Sequence, residues 1–113
     1  MHEMSLITSI LDIAEKEARS AGAGVINSIE LEVGDLAGVE VDSLMFCFET
    51  ARRNTMAAEG ELVVQSVPGR GRCPRCEKEV PVEGFAVATC PDCDIFVDVY
   101  QGRELRVQSI NVD

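Results

Sequence analysis

Tryptophan is absent from this 113-residue chain, tyrosine and histidine occur once each, and ten basic side chains face twenty acidic ones. Each shortage excludes something. Aromatics at 4% cannot build the stacking platform that single-stranded nucleic acid requires. A net charge of −10 repels phosphate backbones and anionic lipid alike, so nucleic acid and membrane surfaces are not expected partners. The only histidine, His2, sits one residue from the start, whereas Ser-His-Asp and Cys-His catalysis needs a histidine held on a rigid element. No apolar run approaches the roughly 18–20 residues that span a bilayer. The first apolar stretch, 6–13, is interrupted by Thr8, Ser9 and Asp12 and follows no basic region, which argues against a secretory signal. A cytoplasmic location is expected. There, five cysteines, an odd number, point away from structural disulfides and toward metal ligation or redox chemistry.

What is present suffices for one compact fold: hydrophobic residues at 46% and charged residues at 27% match ordinary globular usage. Met4, Ile7, Leu11, Ala14 and Ala18 recur at helical spacing and predict a helix over 5–20, stopped by Gly22 and Gly24. The alternation of Ile29, Leu31 and Val33 with Ser28, Glu30 and Glu32 predicts a strand over 25–33, ended by Gly34-Asp35. Asp42 or Ser43 is an N-cap for a second helix running to about Asn54, with Leu44, Met45, Phe48 and Ala51 inward. Residues 61–67 read as a strand closed by Pro68-Gly69. Strands are expected over 94–100 and 104–112; the apolar phase slips between Val107 and Ile110, which predicts a bulge near Ser109.

At Gly69 the composition changes. Residues 1–68 carry four basic and twelve acidic groups, whereas in 69–93 Arg70, Arg72, Arg75 and Lys78 balance Glu77, Glu79, Glu83 and Asp92. A hydrophobic strand that ends the chain after a cysteine module must pair with the earlier sheet. The expected architecture is α+β: two helices packed on a small three-stranded sheet, with an inserted zinc-ribbon-like four-cysteine module. The corresponding division is 1–68 plus 103–113 for the α+β domain and 69–102 for the ribbon.

Cys73-Pro-Arg-Cys76 and Cys90-Pro-Asp-Cys93 are the strongest signal. Two residues between cysteines let both thiolates of a knuckle reach one ion, and two knuckles supply four tetrahedral corners. Zinc is the expected occupant, in a closed and therefore structural site. Thioredoxin-like chemistry would need a CxxC opening a helix in a βαβ setting, which neither pair has. Cys47 has no basic cluster nearby in sequence and reads as a small buried hydrophobe. At the terminus, the Met1 amine, the His2 amide and imidazole and a donor from Glu3 can surround an ion in a plane, the preference of Ni(II) and Cu(II). A solvated terminus is the plain alternative, and Glu3 also suits a helix N-terminus on charge alone.

Taken together, Met1-His2-Glu3-Met4-Ser5-Leu6, Gly34-Asp35-Leu36, Phe48, the two cysteine knuckles and Gly102-Arg103-Glu104-Leu105 before Ile110-Asn111-Val112 resemble the HypA family. These are nickel metallochaperones of nickel-iron hydrogenase maturation, and in some bacteria of urease maturation. The resemblance spans essentially the whole chain. It implies Ni(II) as transported cargo bound through Met1, His2 and Glu3, with Glu40 as an accessory candidate. It also implies structural Zn(II) at Cys73, Cys76, Cys90 and Cys93, a nickel-binding GTPase as partner and the hydrogenase large subunit as recipient. A loosely held terminus can also recruit ligands from a second copy, so a weak homodimer is admitted. Some relatives have a longer segment between the knuckles with an extra histidine; this chain has neither. No enzymatic activity is expected. The competing expectation is a non-enzymatic zinc-ribbon adaptor for a protein or nucleic-acid partner.

Overall fold

The computed structural model describes residues 2–83 and 88–113. In chain order the elements are α1 (Glu3–Ser20), β1 (Ile26–Gly34), α2 (Val41–Ala51), β2 (Glu61–Val67), β3 (Arg70–Arg72), β4 (Glu79–Pro81), β5 (Asp98–Gln101) and β6 (Leu105–Val112). They form two three-stranded sheets, of order β2-β1-β6 and β4-β3-β5, so the α+β expectation of two helices and a small sheet beside a four-cysteine module holds. The chain divides into two compact units: Met1–Leu31, Val39–Gln65 and Arg106–Asp113 in one, Glu32–Gly38 and Ser66–Leu105 in the other.

In the first unit α1 buries Ile7, Ile10, Leu11, Ala14 and Ala18, a single stripe at intervals of three and four residues. Its C-terminus closes with Ala23 N–H donating to the Ala18 carbonyl (2.9 Å) and Gly22 N–H to that of Arg19 (3.0 Å). Gly22 supplies the left-handed φ of 74° that this cap requires. Strand β1 buries Ile26, Ile29, Leu31 and Val33, and α2 buries Leu44 and Phe48.

The hydrogen bonds flanking β1 fix strand directions. Ile26 N–H donates to Met56 O and Asp35 N–H to Val67 O, each at 2.9 Å, so β1 and β2 run parallel, with α2 in the connection between them. Val25 and Asp113 exchange both backbone bonds at one end, and Gly34 N–H reaches Glu104 O at 2.7 Å at the other. Strand β6 is therefore antiparallel to β1.

Several boundaries differ from expectation. Helix α2 starts at Val41 behind Glu40, with no side-chain cap, and ends at Ala51 instead of near Asn54. Asn54 adopts a φ of 62°, outside the helical region, so the chain has turned before reaching it. Residues 94–97 are not a regular strand: the second knuckle extends through Asp94, and only an isolated bridge joins Thr89 to Phe96 before β5 begins at Asp98. Gln108 and Ser109 are both exposed while Val107 and Ile110 are half-buried, which is the expected slip in apolar phase. Cys47 is half-buried, where full burial was expected. It follows the exposed Phe46 and precedes the buried Phe48, so the helix turn places it on the boundary between core and solvent.

Candidate metal centres

The two CxxC segments fold alike because they meet the same backbone demands. In the first knuckle Cys73 N–H donates to Lys78 O (3.0 Å) and Glu77 N–H to Cys73 O (2.9 Å). In the second, Cys90 N–H donates to Ile95 O (2.9 Å) and Asp94 N–H to Cys90 O (2.8 Å). Each proline follows the first cysteine, where its fixed φ favours a turn. The residue after each second cysteine, Glu77 (φ 63°) or Asp94 (φ 53°), adopts the left-handed conformation that turns the chain back.

The result is convergence: the Sγ atoms of Cys73, Cys76, Cys90 and Cys93 all lie within 4.8 Å of one another, and those of Cys76 and Cys90 are 3.6 Å apart. A tetrahedral ion with bonds of about 2.3 Å to sulfur requires S···S edges of about 3.8 Å. The donors fit a four-thiolate metal centre with no position left for substrate. Cys73 and Cys90 are buried on Val82 and Val97, with Leu36, Val80, Ala88, Ile95 and Val99 packed around them. The Lys78 ammonium and the Asp92 carboxylate link the two knuckles on the outside at 3.4 Å, an exposed pair of small energetic weight.

The thiols are not equivalent. The backbone N–H of Cys76 is the main cause that brings the Cys73 thiol down from 9.0 to about 7. Burial pushes the Cys93 thiol up to about 12. Near neutral pH the metal-free cluster therefore keeps at least one proton that a metal must displace.

The candidate nickel residues lie in the first unit. His2 is exposed and precedes α1 in extended conformation (φ −90°, ψ 98°), its carbonyl accepting the Leu6 N–H at 3.2 Å. Glu3 opens α1, and Glu40 stands in the equivalent place before α2 (φ −81°, ψ 104°). The Glu40 N–H donates to Glu3 Oε2 at 3.4 Å, so Glu3 and Glu40 meet where the two helices begin, with His2 the sequence neighbour of Glu3. Met1 lies outside the described residues. Among the described residues, the four cysteines are the group of three or more metal-binding side chains whose donor atoms converge.

Two features had no reading in the sequence. Arg72, Glu79 and Tyr100 form a cluster on the second sheet: the Tyr100 hydroxyl donates to Glu79 Oε1 at 2.5 Å, Arg72 approaches that oxygen at 3.5 Å, and its guanidinium lies 5.8 Å from the Tyr100 ring centroid. The tyrosine, before all else, lowers the Glu79 carboxyl below its usual range, and the carboxylate in turn raises the phenol of Tyr100. Strands as short as β3 and β4 leave no periodicity from which to find such a cluster. The second feature is a crossing of Gly34, Gly69 and Gly102 beside Leu36. A Cβ on Gly69 would meet Val82 O at 2.2 Å, and a Cβ on Gly102 (φ +116°) would meet the Gly69 Cα at 2.7 Å and Leu36 Cδ1 at 3.0 Å.

A family model described as hydrogenase/urease nickel incorporation, metallochaperone, hypA matches residues 1–112. The chain is similar to the hydrogenase maturation factor HypA of Chlorobaculum tepidum, 47% identical over 114 residues and covering 100% of each chain. It is 44% identical to that of Geobacter metallireducens over the same length and coverage. Two solution structures share its fold. One is of a HypA protein, with a TM-score of 0.70 at 22% identity over 99% of this chain and 96% of the other. The second is the Ni metallochaperone HypA from Helicobacter pylori, with a TM-score of 0.63 at 22% identity over 99% of this chain and 97% of that one.

Proposed function

Because the chain belongs to the HypA family, we propose that it is a nickel metallochaperone that carries Ni(II) at its N-terminus and hands it over during maturation of nickel-iron hydrogenase. The observation that carries the reading is the meeting of Glu3 with Glu40 beside His2. One oxygen of Glu3 takes the Glu40 N–H, which orients the carboxylate while leaving its second oxygen for a metal. The Met1 amine, the His2 amide and imidazole and a Glu3 donor supply a planar nitrogen and oxygen set suited to Ni(II), with the Glu40 carboxylate as an accessory. Both acidic residues stand at helix starts.

Cargo and resident metal are kept apart by chemistry. Cys73, Cys76, Cys90 and Cys93 hold Zn(II), a structural ion whose four thiolates leave no site for exchange. The terminal donors are exposed and can be replaced one at a time by a partner's ligands. In this division of labour residues 1–68 with 103–113 are the nickel domain and 69–102 the zinc ribbon. A nickel-binding GTPase of the pathway docks and the hydrogenase large subunit receives the ion. The protein acts in the cytoplasm, without catalysis of its own, and a second copy can complete the ligand set in a weak homodimer.

The test is a nickel titration of untagged, zinc-loaded protein beside His2→Ala, followed by calorimetry and visible absorption, with zinc content measured before and after. Wild type is expected to bind about one Ni(II) with a planar-type spectrum. The variant is expected to lose that binding while retaining zinc. Equal binding by both, or nickel entry only as zinc leaves, defeats the terminal site and brings the ribbon-adaptor reading forward.

A further inference from the structure

The second unit carries a cleft beside the cysteine cluster whose chemistry neither nickel transport nor a structural zinc accounts for. It has a volume of about 330 Å³ and is lined by Arg72, Cys73, Pro74, Glu77, Asp98 and Tyr100. Two local departures from regular structure and one unused cross-strand pairing meet on its wall. Glu77 holds a φ of 63°, a conformation that glycine or asparagine adopts at lower cost. Tyr100 is the additional residue of a bulge: Gly71 pairs with Val99 and Arg70 with Gln101, so Tyr100 stands outside the ladder. Bulges of this kind re-aim a side chain, and this one leaves the ring 52% exposed on the cleft. Asp98 lies directly opposite Arg72 across the β3–β5 pair, yet the arginine turns away toward Glu79 on the other side.

That choice by Arg72 sets the charge of the cleft. Its guanidinium is engaged by the Glu79 carboxylate and the Tyr100 ring. Among the described residues, the side chains of Glu77 and Asp98 have no hydrogen bond or ion pair. Two unpaired carboxylates thus face one cavity beside an exposed aromatic ring and the apolar wall of Pro74. A long side chain with a cationic end fits this arrangement: its methylenes lie on Pro74 and the ring, and its charge reaches the carboxylates. We propose that the cleft is a docking site for an arginine or lysine side chain presented by a partner protein. A free amino acid fits poorly, because Arg72, the cation lining the cleft among the described residues, is already committed to Glu79 and the Tyr100 ring and would not receive an α-carboxylate. The site lies wholly within the second unit and is independent of the nickel reading.

Tyr100 makes the test direct, since the chain has no tryptophan and no other tyrosine and its ultraviolet fluorescence therefore arises at this cleft. Zinc-loaded protein is titrated with an acetylated, amidated pentapeptide bearing one central arginine. The matched glutamine peptide, free arginine and magnesium chloride at equal ionic strength serve as comparisons. The arginine peptide is expected to give a saturable change that weakens with added salt, while the glutamine peptide gives none and free arginine binds less tightly. Glu77→Gln and Asp98→Asn are each expected to weaken the peptide about tenfold or more, with zinc content unchanged. The proposal is overturned if the arginine and glutamine peptides behave alike, or if the Glu77→Gln, Asp98→Asn double variant keeps its zinc and binds as wild type does. It is equally overturned if magnesium produces the same response, or if free arginine binds more tightly than the peptide.

Discussion

Replacing Gly34 by alanine tests whether the glycine crossing holds the second unit together. The added Cβ would lie 2.0 Å from the Gly102 carbonyl oxygen, 2.2 Å from its carbon and 2.8 Å from the Arg103 nitrogen. All three are backbone atoms, so no rotamer change relieves the clash, and ordinary contact near 3.4 Å requires the end of β1 and the β5–β6 connection to separate by more than an ångström. The bonds from Gly34 N–H to Glu104 O and from Leu36 N–H to Gly102 O, both 2.7 Å, cross the same junction and are strained by that separation. Overpacking costs about 1–3 kcal/mol and two weakened hydrogen bonds about 1 kcal/mol each. The total is roughly 3–5 kcal/mol, a large share of the 5–15 kcal/mol typical of a whole domain. At about 4 °C or more per kcal/mol, Tm should fall by at least about 12 °C. Gly24→Ala is the control: a Cβ there meets nothing within 4 Å and the φ is not positive, so stability should hold or rise by about 0.4–1 kcal/mol. Unfolding followed by far-ultraviolet circular dichroism and by Tyr100 fluorescence measures both variants. A Gly34→Ala protein within about 1 kcal/mol of wild type would mean that this junction accommodates a Cβ and does not hold the second unit together.

The Tyr100 phenol should titrate above its usual value of 10.0, because its hydroxyl donates to Glu79; absorbance at long ultraviolet wavelength reads it, and Glu79→Gln should bring it down. The Glu79 carboxyl is itself lowered from 4.5, so its contribution to stability is present above that value and disappears as pH falls through the lower folded pKa. Acid unfolding of Glu79→Gln should accordingly show a shallower pH dependence than wild type below pH 4.5, and identical profiles would contradict the link. Chelation of the metal, or Cys90→Ser, should unfold the buried cluster of Cys73, Cys90, Val82 and Val97 and change Tyr100 fluorescence, while the circular dichroism of α1 and α2 largely persists, because their buried side chains are in the first unit. Metal uptake should release protons, with more released as the buffer is made more acidic between pH 9 and pH 7, since Cys73 titrates down to about 7 and Cys93 stays protonated up to about 12. Calorimetry in buffers of different ionisation enthalpy gives the count.

Local chemistry in the sequence determined a good deal of this protein. A stripe of apolar residues at helical spacing specifies α1, because burial of one face is a property of the segment itself. Alternation does the same for β1. The two cysteine pairs specify a four-sulfur cluster, because a CxxC turn brings two thiols together whatever surrounds it. His2 and Glu3 are neighbours in the chain, and their placement before and at the start of α1 follows from sequence adjacency. Where contacts are long-range the sequence had no voice. Nothing in the segment around Glu40 indicates that its backbone N–H meets a carboxylate 37 residues away. The half-burial of Cys47 depends on which side of α2 finds the core. The short strands β3 and β4 exist because partners at distant positions pair with them, and three-residue strands carry no period of their own. The crossing of Gly34, Gly69 and Gly102 around Leu36, and the choice of Arg72 for Glu79 over Asp98, are decided by which backbones approach in space. Propensity acts over a few residues, whereas these contacts are selected by the packing of the completed fold.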